Sequence, residues 1–262
     1  MFFRKQLFFL SPFFQQLGEV WLLFIKTFRN VFKKPWEKKI FIQQLEEIGV
    51  RSLPVVCLTA AFGGLVFALQ AYIGFHRYIG GGTEAYTGAV ITLGLSKELI
   101  PILVGLMVSG RVGSAMAAEI GTMKITEQID ALITLGADPN RYLVVPRTLA
   151  CLIMLPCLTF IGDVIGVISA YFYNVIIMGV NRFIYVKNTM IYLEGWDVVS
   201  GLIKTAVFGV IIAIVGCWQG LKTEGGAAGV GQATTRTVVI SSICILIINF
   251  FMSKALPATL GR

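Results

Sequence analysis

Residues 53–75 read LPVVCLTAAFGGLVFALQAYIGF, a run without one charged side chain. A transmembrane helix needs about 20 mostly apolar residues, so this stretch is long enough to cross a bilayer. Four further apolar segments of similar length follow, at about 86–108, 143–178, 198–219 and 235–257. The third is long enough for a tilted or broken helix, with Pro156 as a candidate kink. The pattern predicts an all-α polytopic membrane protein with about five transmembrane helices.

The composition of the 262 residues supports the same fold class. Hydrophobic residues make up 56% of the chain and charged residues only 14%. A typical soluble domain carries about 25% charged residues, so these are too few to cover a soluble surface. A disordered chain is poor in apolar residues, which excludes disorder as well. Composition does not separate a pore from a transporter or a membrane enzyme.

The N-terminal region has a different, amphipathic character. Ser11 and Pro12 form a good helix start, with Ser as N-cap and Pro at the first helical position. Residues 12–34 then carry one apolar stripe at helical spacing, formed by Phe13, Leu17, Val20, Trp21, Phe24, Phe28, Val31 and Phe32. The pattern predicts an interfacial helix whose basic side meets anionic headgroups, with packing on the protein alone as the alternative. A short elbow helix follows Pro35, which divides the chain into N-terminal helices over 1–51 and a transmembrane domain over 52–262.

The net charge of +8 indicates orientation in the membrane rather than nucleic-acid binding, because basic residues collect in the cytoplasmic loops of membrane proteins. Most basic residues fall on the side of the membrane that holds the N-terminus. They are Arg4, Lys5, Lys26, Arg29, Lys33, Lys34, Lys38, Lys39, Arg51, Arg111, Lys124, Arg141, Arg147, Lys222 and Arg236. The opposite side has Arg77, Arg182, Lys187, Lys254 and Arg262. We therefore expect a cytoplasmic N-terminus and a C-terminus outside.

The connection between spans two and three, residues 109–142, has the pattern of an ordered helix. Thr126 is a candidate N-cap, with Glu127 and Asp130 in the first turn, where acids suit the helix dipole. Gly136 is a candidate C-terminal stop. The pattern predicts an amphipathic cytoplasmic helix. Such a helix suits either a docking site for a partner or a surface that merely closes the bundle.

Lys97 and Glu98 are charged residues inside the second span. A charge in the bilayer costs about 2.5–3.5 kcal/mol on insertion scales, so it usually pairs or faces a cavity. We interpret the two as candidate substrate-binding residues. The alternative is that both lie near the outer interface and are solvated. Asp163, the acid of the third span, is expected to be a structural hydrogen-bonding partner.

The chain shows no pattern typical of an enzyme or of a metal or cofactor site. Its single histidine is His76, and its five cysteines form no CxxC pair. The glycine-rich stretch from Gly225 to Gly231 is followed by Gln and Ala instead of the Lys-Ser/Thr of a P-loop, so this chain is not expected to hydrolyse ATP. We predict a tight turn there, leading into the last span, with Thr234, Thr235 and Thr237 bonding back to the backbone.

Three motifs resemble those of the MlaE-type permeases, the membrane subunits of MCE-associated ABC transporters. Residues 110–128, GRVGSAMAAEIGTMKITEQ, resemble the family's long signature, and residues 229–239, GVGQATTRTVV, resemble its second one. Residues 97–101, KELIP, resemble its second-span motif, with Lys where some members have Arg. The resemblance covers about residues 12–257.

The resemblance implies a homodimer of five-span subunits, driven by cytoplasmic ABC ATPase subunits and capped by a periplasmic MCE-domain protein. The cargo would be phospholipid or a related lipid, moved between the inner membrane and the outer envelope. Lys97 and Glu98 would then lie near the lipid headgroup. The residues implied in ATPase coupling are Glu119, Met123, Thr126, Glu127, Gln128 and Asp130. The glycines implied in packing or hinges are Gly110, Gly113, Gly121, Gly229 and Gly231.

Two other functions remain open from the sequence. A permease for a hydrophilic solute would need more polar residues along its path than Lys97, Glu98 and Asp163. A membrane scaffold would anchor the MCE protein without moving lipid. The resemblance implies a location in a bacterial inner membrane, with a plastid inner envelope as the alternative.

Overall fold

The computed structural model describes residues 2–31, 38–78 and 86–256, with side chains from residue 15 onward. The regular elements of these ranges are helices, and no strand occurs among them. The helices are α1 (Phe2–Val31), α2 (Lys38–Ile48), α3 (Leu53–Tyr78), α4 (Thr87–Gly94), α5 (Ile100–Val108), α6 (Ser114–Ile125), α7 (Gln128–Thr134), α8 (Val145–Tyr171), α9 (Arg182–Tyr192), α10 (Gly195–Leu221) and α11 (Gly226–Ala255).

Five helical runs are long and apolar enough to cross a membrane, which confirms the predicted fold class. They are Lys38–Arg77, Thr87–Ile125, Asn140–Ile177, Gly195–Leu221 and Gly226–Ala255. The connections place α7 at one end of the bundle and α9 at the other, and we call these the α7 end and the α9 end. Within its window, 56% of α10 is buried, against 17% of α11, so α10 forms the centre and α11 an outer wall.

Close helix contacts depend on glycine. A Cβ at Gly209 of α10 would lie 2.6 Å from the carbonyl oxygen of Cys151 in α8. A Cβ at Gly64 of α3 would lie 2.3 Å from the carbonyl oxygen of Gly166. Small residues at these crossings let the backbones approach, which is how helices associate where lipid removes the hydrophobic driving force. Around them lie fully buried side chains such as Phe208 and Leu155.

The second span is longer than the sequence indicated. Helices α4, α5 and α6 join through π-helical turns at Leu95–Leu99 and Ser109–Gly113 into one run, Thr87–Ile125. The predicted end of the second span at about residue 108 is therefore wrong, whereas the separate helix predicted between Thr126 and Gly136 is present as α7. The reason is the small residues of α6, which let it pack on α10, where a Cβ at Gly220 would lie 2.7 Å from the Cβ of Ile120.

The sequence left the third span open as a tilted or broken helix, and it predicted a turn over the glycine-rich stretch. Pro156 lies inside α8 without ending it, so Asn140–Ile177 is one helical run. Helix α11 begins at Gly226, so the glycine-rich stretch forms its first turns rather than a loop. Only Gly225 and Gly226, at φ of +85° and +70°, form the turn. As predicted, the hydroxyls of Thr234 and Thr235 donate to the carbonyl oxygen of Gly231.

Helix α1 begins at Phe2, so the prediction that Ser11 and Pro12 start it is wrong. Residues 2–10 contain neither Gly nor Pro, and the single backbone hydrogen bond that Pro12 removes does not end the helix. Residues 32–37, which include part of the predicted apolar stripe, lie outside the described residues.

Polar contacts hold α1 on the α7 end. The Nζ atom of Lys26 lies 3.1 Å from the Oδ1 atom of Asp138. Glu19 accepts hydrogen bonds from Lys222 and from the indole of Trp218, and the bond from Lys222 holds the pKa of Glu19 below its usual value. The outer side of α1 keeps large apolar side chains exposed, namely Leu17, Trp21, Leu22, Ile25 and Phe28. Packing on the protein is thus part of its role, and the interfacial position stays a prediction.

Candidate functional site

A group of charged and neutral polar side chains lies within the bundle near the α9 end. We call it the charge cluster, and it comprises Lys97, Glu98, Asp197, Lys204, Asn249 and Ser253. The Nζ atom of Lys97 lies 2.6 Å from the Oδ1 atom of Asp197, which is buried. The Oδ2 atom of Asp197 accepts the backbone N–H of Glu194 at 3.0 Å, a capping box that begins α10. Asp197 thus both fixes the helix start and pairs with Lys97.

The second ion pair of the cluster joins Glu98 to Lys204. The Nζ atom of Lys204 lies 2.6 Å from the Oε1 atom of Glu98, and it also donates to the carbonyl oxygen of Lys97 and to Ser253. Glu98 accepts further hydrogen bonds from the amide of Asn249 at 3.0 Å and the hydroxyl of Ser253 at 2.8 Å. The side chain of Lys204 is 3% exposed and that of Glu98 is 44% exposed. The ammonium is therefore enclosed while the carboxylate reaches an open side.

Helical spacing explains why these residues meet. Asp197 and Lys204 are seven residues apart on α10, and Asn249 and Ser253 are four apart on α11, so each pair shares one helix face. Lys97 and Glu98 lie in the π-helical turn Leu95–Leu99. Such turns are frequent at functional sites.

An apolar groove with a volume of about 550 Å³ lies between α3 and the second span, and the residues of the cluster are not among those that line it. Glu98 directly precedes Leu99, which lines the groove together with Leu103. The remaining lining residues come from one face of α3 and are Val55, Leu58, Thr59, Phe62, Gly63, Val66, Phe67 and Gln70. An elongated apolar space with charge beside it suits an amphipathic molecule.

The link between α6 and α7 forms the tip of the α7 end. Thr126 follows α6 and its hydroxyl donates to the carbonyl oxygen of Thr122, so the prediction that Thr126 caps a helix start is wrong. Glu127 takes that position instead, with a left-handed backbone at φ of +59°. The chain reverses too tightly between α6 and α7 for Thr126 to reach the first turn of α7. The predicted stop at Gly136 is confirmed, because the N–H of Ala137 bonds to Leu132 and that of Gly136 to Ile133.

Five of the six implied coupling residues are exposed, and Met123 is partly buried. Thr126, Glu127, Gln128 and Asp130 are exposed at the tip, where Asp130 pairs with Lys124 at 3.1 Å. Glu119 lies 2.8 Å from the buried guanidinium of Arg147, and Met123 packs against the core at the α7 end. The sequence reading did not single out Leu135, which is 82% exposed beside Ile133.

The implied packing glycines fall into two groups, with and without a close contact to a neighbouring residue. A Cβ at Gly121 would lie 2.8 Å from the hydroxyl oxygen of Thr223, and one at Gly229 would overlap the carbonyl oxygen of Glu224 at 1.8 Å. A Cβ at Gly113 would lie 3.2 Å from Ile212. Gly110 and Gly231 would meet nothing within 4 Å, so neither has a close contact among the described residues.

Several residues of the site were not identified from the sequence. Asp197, Lys204, Asn249 and Ser253 were not predicted as site residues. The seven-residue spacing between Asp197 and Lys204 puts these two on one helix face, and it was the signal in the sequence that pointed to them. Asp163 is buried, and neither of its carboxylate oxygens has a hydrogen-bond partner among the described residues. Its predicted role as a hydrogen-bonding partner is wrong, because α8 presents it to apolar packing.

Comparison with known proteins decides the family. A family model described as Permease MlaE matches residues 41–255. The chain belongs to the MlaE permease family. As an ABC transporter permease of this family, it is a multi-pass membrane transport protein and not an enzyme, and it works with an ATPase partner. The resemblance seen in the sequence is confirmed.

Several relatives of this MlaE permease are similar over nearly its whole length. A probable ABC transporter permease protein of Rickettsia conorii is 47% identical over 242 residues, 92% of each chain. One of Synechocystis is 41% identical over 244 residues, 93% of this chain and 92% of the relative. The chloroplastic protein TRIGALACTOSYLDIACYLGLYCEROL 1 of Arabidopsis thaliana is 42% identical over 213 residues, 81% of this chain and 60% of that protein.

Proposed function

We propose that this MlaE permease moves phospholipid or a related lipid between the inner membrane and the outer envelope, with energy from its ATPase partner. The observation that carries the proposal is the apolar groove beside the charge cluster. Acyl chains fit the groove, whose polar lining residues are only Thr59 and Gln70. The half-exposed carboxylate of Glu98 and the ammonium of Lys97 then lie where a headgroup needs polar contacts. The Arabidopsis relative, whose name is that of a lipid, supports this substrate class.

A hydrophilic solute fits the same geometry less well. A polar solute needs polar contacts along its path, and the charged side chains of the cluster supply them at one place only. The groove beside them offers apolar contacts that such a solute cannot use. A lipid uses both features.

We further propose that a second copy of the chain closes the groove. The groove lies between α3 and the second span, and Glu98 of that span bonds to Asn249 and Ser253 of α11. The outward faces of α3 and α11 carry exposed apolar residues, among them Leu58, Phe62, Ile243, Leu246 and Phe250. A homodimer joined along these faces encloses a pocket between spans one, two and five of both copies.

The orientation in the membrane follows from the basic residues. The α7 end, with α1 and the basic loops, is placed in the cytoplasm by the positive-inside rule. The α9 end then faces a periplasmic MCE-domain protein. We propose a bacterial inner membrane as its location, with the plastid inner envelope as the alternative.

We expect the exposed tip at the α7 end to contact the ATPase. Leu135→Glu should weaken association with the ATPase by about tenfold, because we expect the loss of one large apolar contact to cost on the order of 1.4 kcal/mol. Its exposure predicts no loss of thermal stability. Glu127→Lys reverses the charge at the tip without adding backbone strain, since both residues have a Cβ, and it should also weaken association. Both are checked by pull-down and ATPase rate.

A matched control for the coupling prediction is Ile168→Glu, which changes an exposed apolar residue of α8 outside both the tip and the proposed dimer face. It should leave ATPase association unchanged in detergent. Normal association and ATPase rate in both tip variants would exclude this surface as the coupling site.

Transfer assays with the reconstituted complex test the proposed function. Vesicles containing the permease and its ATPase should transfer fluorescent phosphatidylglycerol in an ATP-dependent way, and Glu98→Arg should abolish it because the pair with Lys204 becomes repulsive. Uptake of a labelled polar solute without lipid transfer would favour the hydrophilic permease. Lipid transfer that persists when this chain is omitted would contradict a transport role and favour the membrane scaffold.

A further inference from the structure

Helix α9 joins the third and fourth spans across the α9 end, and its inner side packs on α4. The ring of Tyr185 is buried, and a Cβ at Gly88 of α4 would lie 2.9 Å from that ring. Tyr185 also meets Tyr171 edge to face, with ring centroids 5.8 Å apart. Asn181 caps the helix start by accepting from the backbone N–H of Phe183 at 3.0 Å. This side is therefore fixed to the bundle.

The outer side of α9 is apolar and uncovered. Phe183 is 76% exposed and Met190 is 75% exposed, and Ile191 is exposed beside them. The first two are seven residues apart and so lie on one face of the helix. Arg182 and Lys187 border the same shallow groove, and neither has an ion-pair partner among the described residues. An exposed apolar face with cations along it is typical of a helix at a membrane surface.

The exposed apolar surface is continuous from the spans onto α9. Ile176 and Ile177, at the end of the third span, are 63% and 54% exposed. Val199 and Ile203 continue the exposed surface at the start of the fourth span. The spans face acyl chains, so the apolar side of α9 lies at the border of that layer. Tyr192, which contacts Tyr86 edge to face, adds the aromatic residues enriched at this depth.

We propose that α9 lies in the leaflet at the α9 end of the bundle. Phe183 and Met190 lie among the upper acyl chains, and Arg182 and Lys187 extend to the phosphates of lipid headgroups. The inner face of α9 packs on α4, which leads into the turn that carries Lys97 and Glu98. The lipid surface thus anchors the helix that positions the outer end of the charge cluster. The inference is independent of which cargo the permease moves.

Depth-dependent fluorescence quenching tests this position. The complex is reconstituted with a single labelled cysteine at Met190→Cys, in a chain whose five native cysteines are replaced by alanine. Vesicles contain phosphatidylcholine with about a third phosphatidylglycerol, to supply the anionic surface that a basic interfacial helix binds. Lipids with nitroxides at the headgroup or in the acyl chain quench the label. Gln128→Cys at the α7 tip is the control that lies outside the lipid, whether water or the proposed ATPase contact covers it, and Ile176→Cys is the lipid-facing control.

We expect lipid nitroxides to quench the label at position 190 at least about threefold more than at 128, approaching the value at 176, as for a helix buried at the headgroup boundary. Arg182→Gln with Lys187→Gln should lower this quenching selectively in anionic vesicles. Quenching at 190 equal to that at 128 would overturn the proposal. Shielding of position 190 only after a periplasmic partner protein is added would also overturn it, in favour of a protein interface.

Discussion

Glu98→Gln should destabilise this MlaE permease by about 3–5 kcal/mol, because it leaves a buried ammonium without its carboxylate. The side chain of Lys204 is 3% exposed, so water cannot replace the lost charge. Its two remaining acceptors, the carbonyl oxygen of Lys97 and the hydroxyl of Ser253, are neutral. Midpoints of denaturation in lipid–detergent micelles measure the loss.

Removing the other partner of the ion pair should cost less stability. Lys204→Met leaves the carboxylate of Glu98, which is 44% exposed and keeps the hydrogen bonds from Asn249 and Ser253. We expect about 1–2 kcal/mol, the cost of lost hydrogen bonds to a partly solvated group. The double variant should be more stable than Glu98→Gln alone. Equal losses in both single variants would contradict the burial asymmetry.

A surface pair provides the control for this series. Glu47 and Arg51 form an exposed i,i+4 pair at 3.3 Å. Glu47→Gln should change stability by less than about 1 kcal/mol, as exposed ion pairs do. A loss at Glu47 as large as that at Glu98 would show that charge number, rather than burial, sets the stability.

Gly201→Ala should prevent normal assembly of the bundle. A Cβ at this position would lie 2.2 Å from the carbonyl oxygen of Ser96, in backbone that cannot rotate away. Overpacking costs typically about 1–3 kcal/mol, and more where the clash is with backbone. Because Ser96 directly precedes Lys97 and Glu98, separation of α10 from this turn also pulls both ion pairs apart. We expect low yield of folded protein and loss of lipid transfer in what remains.

Gly74→Ala is the matched control, because a Cβ there meets nothing within 4 Å in the same kind of helical environment. It should fold normally and gain up to about 1 kcal/mol from helix propensity. Normal yield and stability of Gly201→Ala, measured by gel filtration and thermal denaturation, would show that α10 and the second span are not packed as described.

Apolar run length was sufficient to predict the spans, because burial in lipid demands long uncharged helices. The extent of the second helical run was not predictable in the same way. The small residues of α6 indicate close helix packing, but they do not show that the helix of the second span continues through them, which depends on the contact with Gly220 of α10. The start of α1 was missed because a local Ser-Pro signal was given more weight than the breaker-free residues before it.

Only part of the candidate site was predicted from the sequence. Lys97 and Glu98 stood out because charges are costly inside a span. Their partners Asp197 and Lys204 lie about 100 residues later, and pairing over that distance depends on how the helices pack. Helical spacing shows that those two share a face, but the sequence gives no direct sign of which helix that face meets. The groove between α3 and α5 likewise exists only in the packed bundle.

The most direct test of lipid passage through the groove is the rate of ATP-dependent phospholipid transfer when the groove is filled. Val66→Trp places a bulky ring in the groove, and Ile168→Trp places the same ring on the exposed face of α8 outside it. We predict at least about a tenfold lower rate for Val66→Trp, a barrier increase of about 1.4 kcal/mol, and a near-normal rate for Ile168→Trp. Equal rates in the two variants, with intact complexes, would contradict transport through this groove.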